Sequence, residues 1–573
     1  MDAMVDNDPL SLKGFLDDVN KALDPFGMMR ACWSVQKAWL QHPQALSRRL
    51  QAFHQKLVEL NLQGVRRLSG YQDQDVISPA PYDERFQEPV WHDNPFLDYL
   101  KEFYLLYTHW LEDAIYATPG ASRREREKAG FLVRQILNAV APSNFFWTNP
   151  AAVLRFLQTG GASVVDGVAN FIDDYQRGTI RIADESAFQV GRNLATTPGA
   201  VVFRNKLLEV IQYAPQTEQV HEIPIVLVAP WINKYYILDL NPEKSLVRYL
   251  VSRGFTVFVT SWKNPGSDMR DTTLDDYLYQ GALQAVETAR SICGSERVHL
   301  TGYCIGGTIV AALMAWLNRG GDDDGRMPVA HWTLLTTLVD FSNPGEIDVF
   351  IDEETIEYLE DRMHDKGYLD GQDMANSFRA LRSNSLIWHY FVHNYLLGGD
   401  PPKFDVLYWN MDTTRMPEAM HSFYLREFYL NNKLVQPDGV ELAGRPIDLR
   451  RITQPLYAVG AEQDHIAPWK ETFKICRLID GDVRYTLATS GHILGIINPP
   501  VTPPKRRYWT SDAAGFVDPL KWREKTPKVA GSWWEDWVAW LKPQCGSLTA
   551  PPPLGNEEYP ALMEAPGSYV LER

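Results

Sequence analysis

Apolar positions divide the chain into two regimes. From residue 1 to about 195 they recur at helical spacing. Phe96, Leu97, Leu100, Phe103, Tyr104 and Tyr107 share one face of a helix that Asn94 caps and Pro95 opens. Ser122 and Glu125 form a capping-box pattern ahead of Phe131, Leu132, Ile136 and Leu137. Residues 10–25 are also amphipathic, as in a packed arm or a helix resting on a surface. The pattern changes after Thr196-Thr197-Pro198-Gly199, a turn-rich boundary. Short apolar runs at 225–229, 256–261, 297–301, 331–338, 455–459 and 483–489 read as buried strands, and helix-like segments such as 274–291 separate several of them. This alternation predicts a mostly parallel sheet covered on both faces. Two domains are expected, helical over 1–195 and α/β over 196–573.

The interval between Leu338 and Pro455 is too long for a simple crossover, so it predicts an insertion at about 340–453. The insertion is dense in aromatic residues, including Tyr358, Trp388, Tyr395, Trp409, Tyr424 and Tyr429. Such a segment suits a cap that buries the strand ends and keeps water out. Near the end, Ser532 and Glu535 again suggest a capping box. Trp533, Trp537, Trp540 and Leu541 lie on one helical face and read as core. Residues 550–573 read as an extended tail wrapping the domain.

Between the run 297–301 and the apolar stretch 308–317 stands Gly302-Tyr303-Cys304-Ile305-Gly306-Gly307. A strand, a glycine-flanked nucleophile and a helix make the nucleophile elbow of the α/β-hydrolase fold, here with cysteine in place of serine. A Cβ at Gly302 or Gly306 would crowd so tight a turn. In this fold the acid and then the histidine follow the nucleophile along the chain. Asp464 follows the run 455–459 and His492 follows 483–489, so they are the candidate acid and base for Cys304. Glu462 is a rival acid and His465 a rival base, and Asp464 also suits the cap of a helix over 468–477. The oxyanion donors are expected to be the N–H of Ile305 and a second N–H after the run 225–229, for which Ile232 is the candidate. Packing alone would equally explain Ile232.

Composition narrows the function. The chain has 573 residues and a net charge of −16, which gives no nucleic-acid footprint. Five scattered cysteines, Cys32, Cys293, Cys304, Cys476 and Cys545, form no C-x-x-C pair, which suits a reducing cytoplasm and suggests neither zinc nor a disulfide framework. The acidic start Met1–Pro9 has no apolar core of a secretory signal, and no apolar run reaches the about 18 residues of a membrane span. No metal or redox cofactor is expected.

Several separated motifs resemble the polyhydroxyalkanoate synthases of the single-subunit class I type. They are Gly302 to Thr308, Ile232 to Leu240, Asp464 to Trp469, Ser490 to Ile493, Ala141 to Phe145, Leu407 to Asn410 and Gly531 to Trp534. The likeness covers most of the chain, and it puts the family's triad on Cys304, Asp464 and His492. One departure is Trp231, where a smaller residue is expected beside the oxyanion loop.

The resemblance implies an acyltransferase that polymerises (R)-3-hydroxyacyl-CoA, with 3-hydroxybutyryl-CoA as the expected monomer, and releases CoA through a Cys304 thioester. CoA would be substrate and product rather than cofactor, and Lys234 and Lys263 are candidate basic contacts. Either His492 or Asp464 would activate the attacking hydroxyl. The resemblance further implies a homodimer in the cytoplasm, on the surface of polymer granules with the growing polyester and granule-associated proteins. A cysteine hydrolase or acyl-CoA thioesterase on the same fold, or a silent granule scaffold, would fit the same residues.

Overall fold

The computed structural model describes residues 24–71, 74–81 and 83–573. The amphipathic stretch 10–25 lies, but for its last two residues, outside them. The chain forms two compact units.

The first unit comprises residues to Asp184 together with Asn376–Lys403. Its described part is helical, with helices Met28–Gln41, Pro43–Leu68, Pro95–Tyr116, Arg123–Ala139, Pro150–Gln158 and Ala162–Arg177. Asn94 accepts from the N–H groups of Phe96 and Leu97 at 3.0 and 3.2 Å, and Ser122 and Glu125 form the reciprocal capping box. The buried face of Pro95–Tyr116 differs from the expected one. Tyr104 is buried, but Phe96, Phe103 and Tyr107 are exposed. Asp98, Lys101 and Glu102 are buried in their place. They are tolerated there because they are paired: Arg67 bonds Asp98 and Glu102, and Lys101 bonds Asp98 at 2.8 Å. Arg67 also pairs with Asp75, so this guanidinium bridges all three acids of the one group among the described residues that is close enough to share a metal ion.

The expected division at 195/196 and the single insertion at about 340–453 both need correction. The first unit ends at Asp184, and the stretch 376–403 belongs to it. Specific bonds hold that stretch: Asn138 Nδ2 donates to Ser383 Oγ at 3.0 Å, Asn394 Nδ2 to the Arg181 carbonyl at 2.8 Å, and the Tyr395 hydroxyl to Asp174 at 2.8 Å.

The second unit, Glu185–Ala375 and Phe404–Arg573, is built on an eleven-stranded sheet. Its strands are β1 (Gly199–Arg204), β2 (Leu208–Tyr213), β3 (Ile225–Val228), β4 (Val257–Trp262), β5 (Val298–Tyr303), β6 (Val329–Leu335), β7 (Leu456–Ala461), β8 (Val483–Ala488), β9 (Arg507–Asp512), β10 (Lys528–Ala530) and β11 (Met563–Glu564). The order is β10-β9-β8-β7-β6-β5-β3-β4-β2-β1-β11. The central six, β8 to β4, run parallel, and antiparallel strands flank them on both sides. The central strands are buried along nearly their whole length, as their unbroken apolar runs predicted. The swap of β3 and β4 against chain order puts β3 next to β5 and brings the loop after β3 beside the loop after β5. The tail does wrap this unit: β11 pairs with β1, and the Tyr569 hydroxyl bonds the Asn205 carbonyl at 2.7 Å.

The helix Trp533–Leu541 covers one sheet face with Trp533, Trp537 and Leu541 fully buried. Ser532 caps it through the Trp534 N–H at 3.1 Å, without a Glu535 capping box, and the Ser532 hydroxyl itself donates to the Asn498 carbonyl. Under this helix runs a buried chain of hydrogen bonds. Trp537 Nε1 donates to Thr333 Oγ1 at 2.9 Å, and Thr333 lies 3.0 Å from His299 Nε2. His299 Nδ1 meets His331 Nδ1 at 2.5 Å, and His331 Nε2 meets the Gln544 carbonyl at 3.2 Å. Burial holds both rings neutral, and a carbonyl only accepts, so the direction of the protons along the histidine pair is set. His299 is protonated on Nδ1, His331 on Nε2, and both rings are neutral.

Candidate active site

Cys304 follows β5 directly and is the N-cap of the helix Ile305–Gly320. Its backbone sits at φ 53°, ψ −124°, a conformation an L-residue adopts only under constraint. The constraint is visible. The Cys304 N–H donates to the Leu335 carbonyl at 2.9 Å, while its own carbonyl accepts from Gly307 and Thr308 at 2.9 and 3.1 Å. A Cβ on Gly306 would collide with the Val228 carbonyl, and one on Gly302 with the Cα of Gly307. The helix thus packs straight onto the end of β3. Cys304 is partly buried, at the N-terminus of a helix whose first N–H groups have no partner within the helix.

His492 and Asp464 stand together. His492 Nδ1 lies 2.7 Å from Asp464 Oδ2, and the Asp464 side chain is fully buried behind it. Asp464 Oδ1 accepts from the N–H groups of Ile466 and Ala467, both at 2.9 Å. The carboxylate therefore orients the imidazole and is itself oriented by its loop. Burial alone would lower the His492 pKa. The Asp464 carboxylate and the Cys304 sulfur outweigh burial and raise it to about 10. Tyr303 stacks on His492 with ring centres 5.7 Å apart.

The rivals fall elsewhere. Glu462 is bound by Arg523. His465 adjoins Asp464 in the loop, but the imidazole on the carboxylate is that of His492. Ile305 is the first residue of the elbow helix, and Ile232 lies partly buried in the loop after β3. Trp231 turns its ring into the core against Trp262 and Tyr277, at 5.3 and 4.5 Å, so its bulk is stored away from the acyl side of the loop. Lys234 does not serve as an accessible basic contact: its ammonium is buried and donates to the Glu572 carbonyl, and burial lowers its pKa. Lys263 is partly buried, its ammonium 6.0 Å from the centre of the Tyr569 ring.

Two tyrosines of the insertion, Tyr424 and Tyr429, lie near the thiol with their ring centres 5.3 Å apart. Burial, with a contribution from the Cys304 sulfur, pushes both phenols up. Sequence reading placed them in the insertion but could not single them out, because a tyrosine facing the thiol and one in the core share the same local pattern.

Fold and site together define an α/β-hydrolase-fold enzyme with cysteine at the nucleophile position. Residues 233–499 match the family described as the alpha/beta hydrolase fold, and residues 82–250 the poly-beta-hydroxybutyrate polymerase (PhaC) N-terminus. A poly(3-hydroxyalkanoate) polymerase of Methylorubrum extorquens is 40% identical over 549 residues, covering 95% of this chain and 89% of its own. The poly(3-hydroxyalkanoate) polymerase subunit PhaC of Cupriavidus necator is 42% identical over 85% of this chain and 83% of its own. Poly(3-hydroxyalkanoate) polymerase 2 of Ectopseudomonas oleovorans is 41% identical over 87% and 88%. The chain belongs to the poly(3-hydroxyalkanoate) polymerase family. It is an enzyme that builds polyhydroxyalkanoate.

Proposed function

We propose that this enzyme takes its monomers as (R)-3-hydroxyacyl-CoA, chiefly 3-hydroxybutyryl-CoA, and carries them on Cys304 as a thioester. The observation that carries this reading is the Asp464–His492 pair beside a thiol on a strained elbow. His492 takes the Cys304 thiol proton as acylation begins, leaving a thiolate beside an imidazolium. The thiolate attacks the acyl carbon of the CoA thioester. The C–S bond to CoA breaks, and His492 gives its proton to the departing CoA sulfur. One thioester replaces another, so this step is nearly isoenergetic. Neutral His492 then takes the proton of an attacking 3-hydroxyl. The new C–O bond forms, Cys304 leaves as thiolate, and the ion pair is restored with the chain one unit longer. Formation of the oxoester drives this step.

Asp464 orients His492 and stabilises its charge. Because its side chain is fully buried and both oxygens are engaged, activation of the hydroxyl falls to His492. The N–H groups of Ile305 and Ile232 would hold the tetrahedral oxyanion.

Attachment to the apolar product is supported by the helices Pro150–Gln158 and Ala162–Arg177. They expose Leu154, Leu157, Val165, Val168, Ile172 and Tyr175. Among the described residues no helix is long and apolar enough to cross a membrane. On the family resemblance, the working form is a homodimer on cytoplasmic granules.

The test is incubation with 3-hydroxybutyryl-CoA, following free CoA thiol, polymer, and the mass of the Cys304 peptide. Polymer with an acylated Cys304 is expected. Free 3-hydroxybutyrate without polymer, or acylation elsewhere, would sink the reading.

A further inference from the structure

The loop 231–234, which carries the Ile232 N–H, is gripped from two sides. On one, the Trp231 ring is wedged against Trp262 and Tyr277. On the other, the segment 409–414 takes three of its carbonyls. Trp409 Nε1 donates to the Lys234 carbonyl at 2.7 Å, the Thr414 N–H to the Ile232 carbonyl at 3.3 Å, and the Thr414 hydroxyl to the Trp231 carbonyl. Asn233 and Thr413 add an antiparallel bridge between the same segments. Thr414 is buried, 4% exposed.

The hydroxyl bond has a particular geometric consequence. The Trp231 carbonyl and the Ile232 N–H belong to one peptide group, and a trans peptide is planar with its C=O and N–H pointing in opposite directions. Whatever fixes that carbonyl also aims that N–H. We propose that Thr414 is a positioning residue for the oxyanion hole: its hydroxyl holds the 231–232 peptide with the Ile232 N–H turned towards the thioester oxygen at Cys304. This inference rests on the role given above to Ile232. Thr414 lies in the long connection between β6 and β7, whereas Trp231 follows β3. The hole is therefore complete only when these two segments are seated against each other, so seating of the insertion is read out as catalytic competence.

Two reactions of Cys304 separate this role from a merely structural one. Alkylation by iodoacetamide needs the thiolate but passes through no oxyanion. Acylation by 3-hydroxybutyryl-CoA needs both. Thr414→Val should alkylate at the wild-type rate and release CoA in the first turnover about 10- to 100-fold more slowly, less than the loss of a whole oxyanion donor. Thr414→Ser, which keeps the hydroxyl, should return CoA release to near the wild-type rate. If valine disturbs packing, Thr414→Ala makes the same comparison. Wild-type CoA release from the variants lacking the hydroxyl, with a normal Cys304 thioester, would overturn this inference alone. Equal loss in both reactions, unrestored by serine, would overturn it too. Failure of the wild-type protein to form any Cys304 thioester would overturn the underlying reading and this inference with it.

Discussion

Asp464 divides its carboxylate between two tasks, with Oδ2 facing His492 Nδ1 at 2.7 Å and Oδ1 pinned by the N–H groups of Ile466 and Ala467. Asp464→Asn keeps the shape and breaks the first task. Its amide can keep both backbone bonds through Oδ1, so its NH₂ then faces His492 and forces the ring into the other tautomer. CoA release should fall about 10³- to 10⁴-fold. Removal of the carboxylate should also lower the His492 pKa from about 10, shifting the alkaline limb of the pH–rate profile to lower pH. An unmoved limb would show that another group raises the imidazole.

Burial pushes the thiols of Cys293, Cys476 and Cys545 up, and Cys32 is raised by burial and by Asp24. These four should react slowly with iodoacetamide at neutral pH. Cys304, beside a protonated His492, should take up one fast equivalent. Peptide mapping after brief labelling checks this, and Cys304→Ser should remove the fast phase and polymer formation together.

The paired rings of His299 and His331 are held neutral by burial, His299 well below its ordinary pKa and His331 lowered to about 4. Their neighbours are neutral: Thr333, Trp537, Trp540, the Gln544 carbonyl and the Cys545 thiol. In the unfolded chain both titrate near 6.5. The stability they contribute is therefore present above about pH 6.5 and lost as pH falls towards 4, at about 1.4 kcal/mol per pH unit for each ring. His492 acts in the opposite sense. Its folded pKa is raised, so its contribution is full below about 6.5 and lost as pH rises towards 10. Urea midpoints measured from pH 4 to 10 should peak near neutrality, and His331→Asn should flatten the acid limb by about one proton.

Ser532, Trp533 and Trp534 hold the segment that follows His492. Their side chains donate to the carbonyls of Asn498, Gly495 and Ile496, the latter two at 2.8 and 2.9 Å. Trp533→Phe keeps the ring but leaves the Gly495 carbonyl unpaired, which should cost about 1–3 kcal/mol. A thermal shift with reduced kcat and slowed Cys304 alkylation would place the effect on His492's setting; wild-type stability would refute the account.

What could be read from sequence was local or set by chain order. The elbow, the acid and the histidine announce themselves because glycine spacing, strand ends and sequential order are all visible along one dimension. The Asn94 and Ser122 caps are legible for the same reason. The misreadings concern partners distant in sequence. Phe96, Phe103 and Tyr107 resemble a core face, but ion pairs from Arg67 bring the charged face inward. Ser532 and Glu535 match a capping box, but the Ser532 hydroxyl accepts from the Trp534 N–H and donates to the carbonyl of Asn498, 34 residues earlier. Thr414 carries no signal, since its role is defined by a carbonyl 183 residues away.

The assignment of residues 376–403 to the helical unit makes that unit discontinuous along the chain. The polypeptide leaves it after Asp184, returns at Asn376 and leaves again after Lys403. A fragment ending at 184 would therefore lack the partners of Asn138, Asp174 and Arg181, and a fragment starting at 185 would carry a stranded helical excursion with nothing to fold against. Neither half can be cut out as an autonomous module, so rearrangements that graft or truncate this enzyme must carry all three crossings.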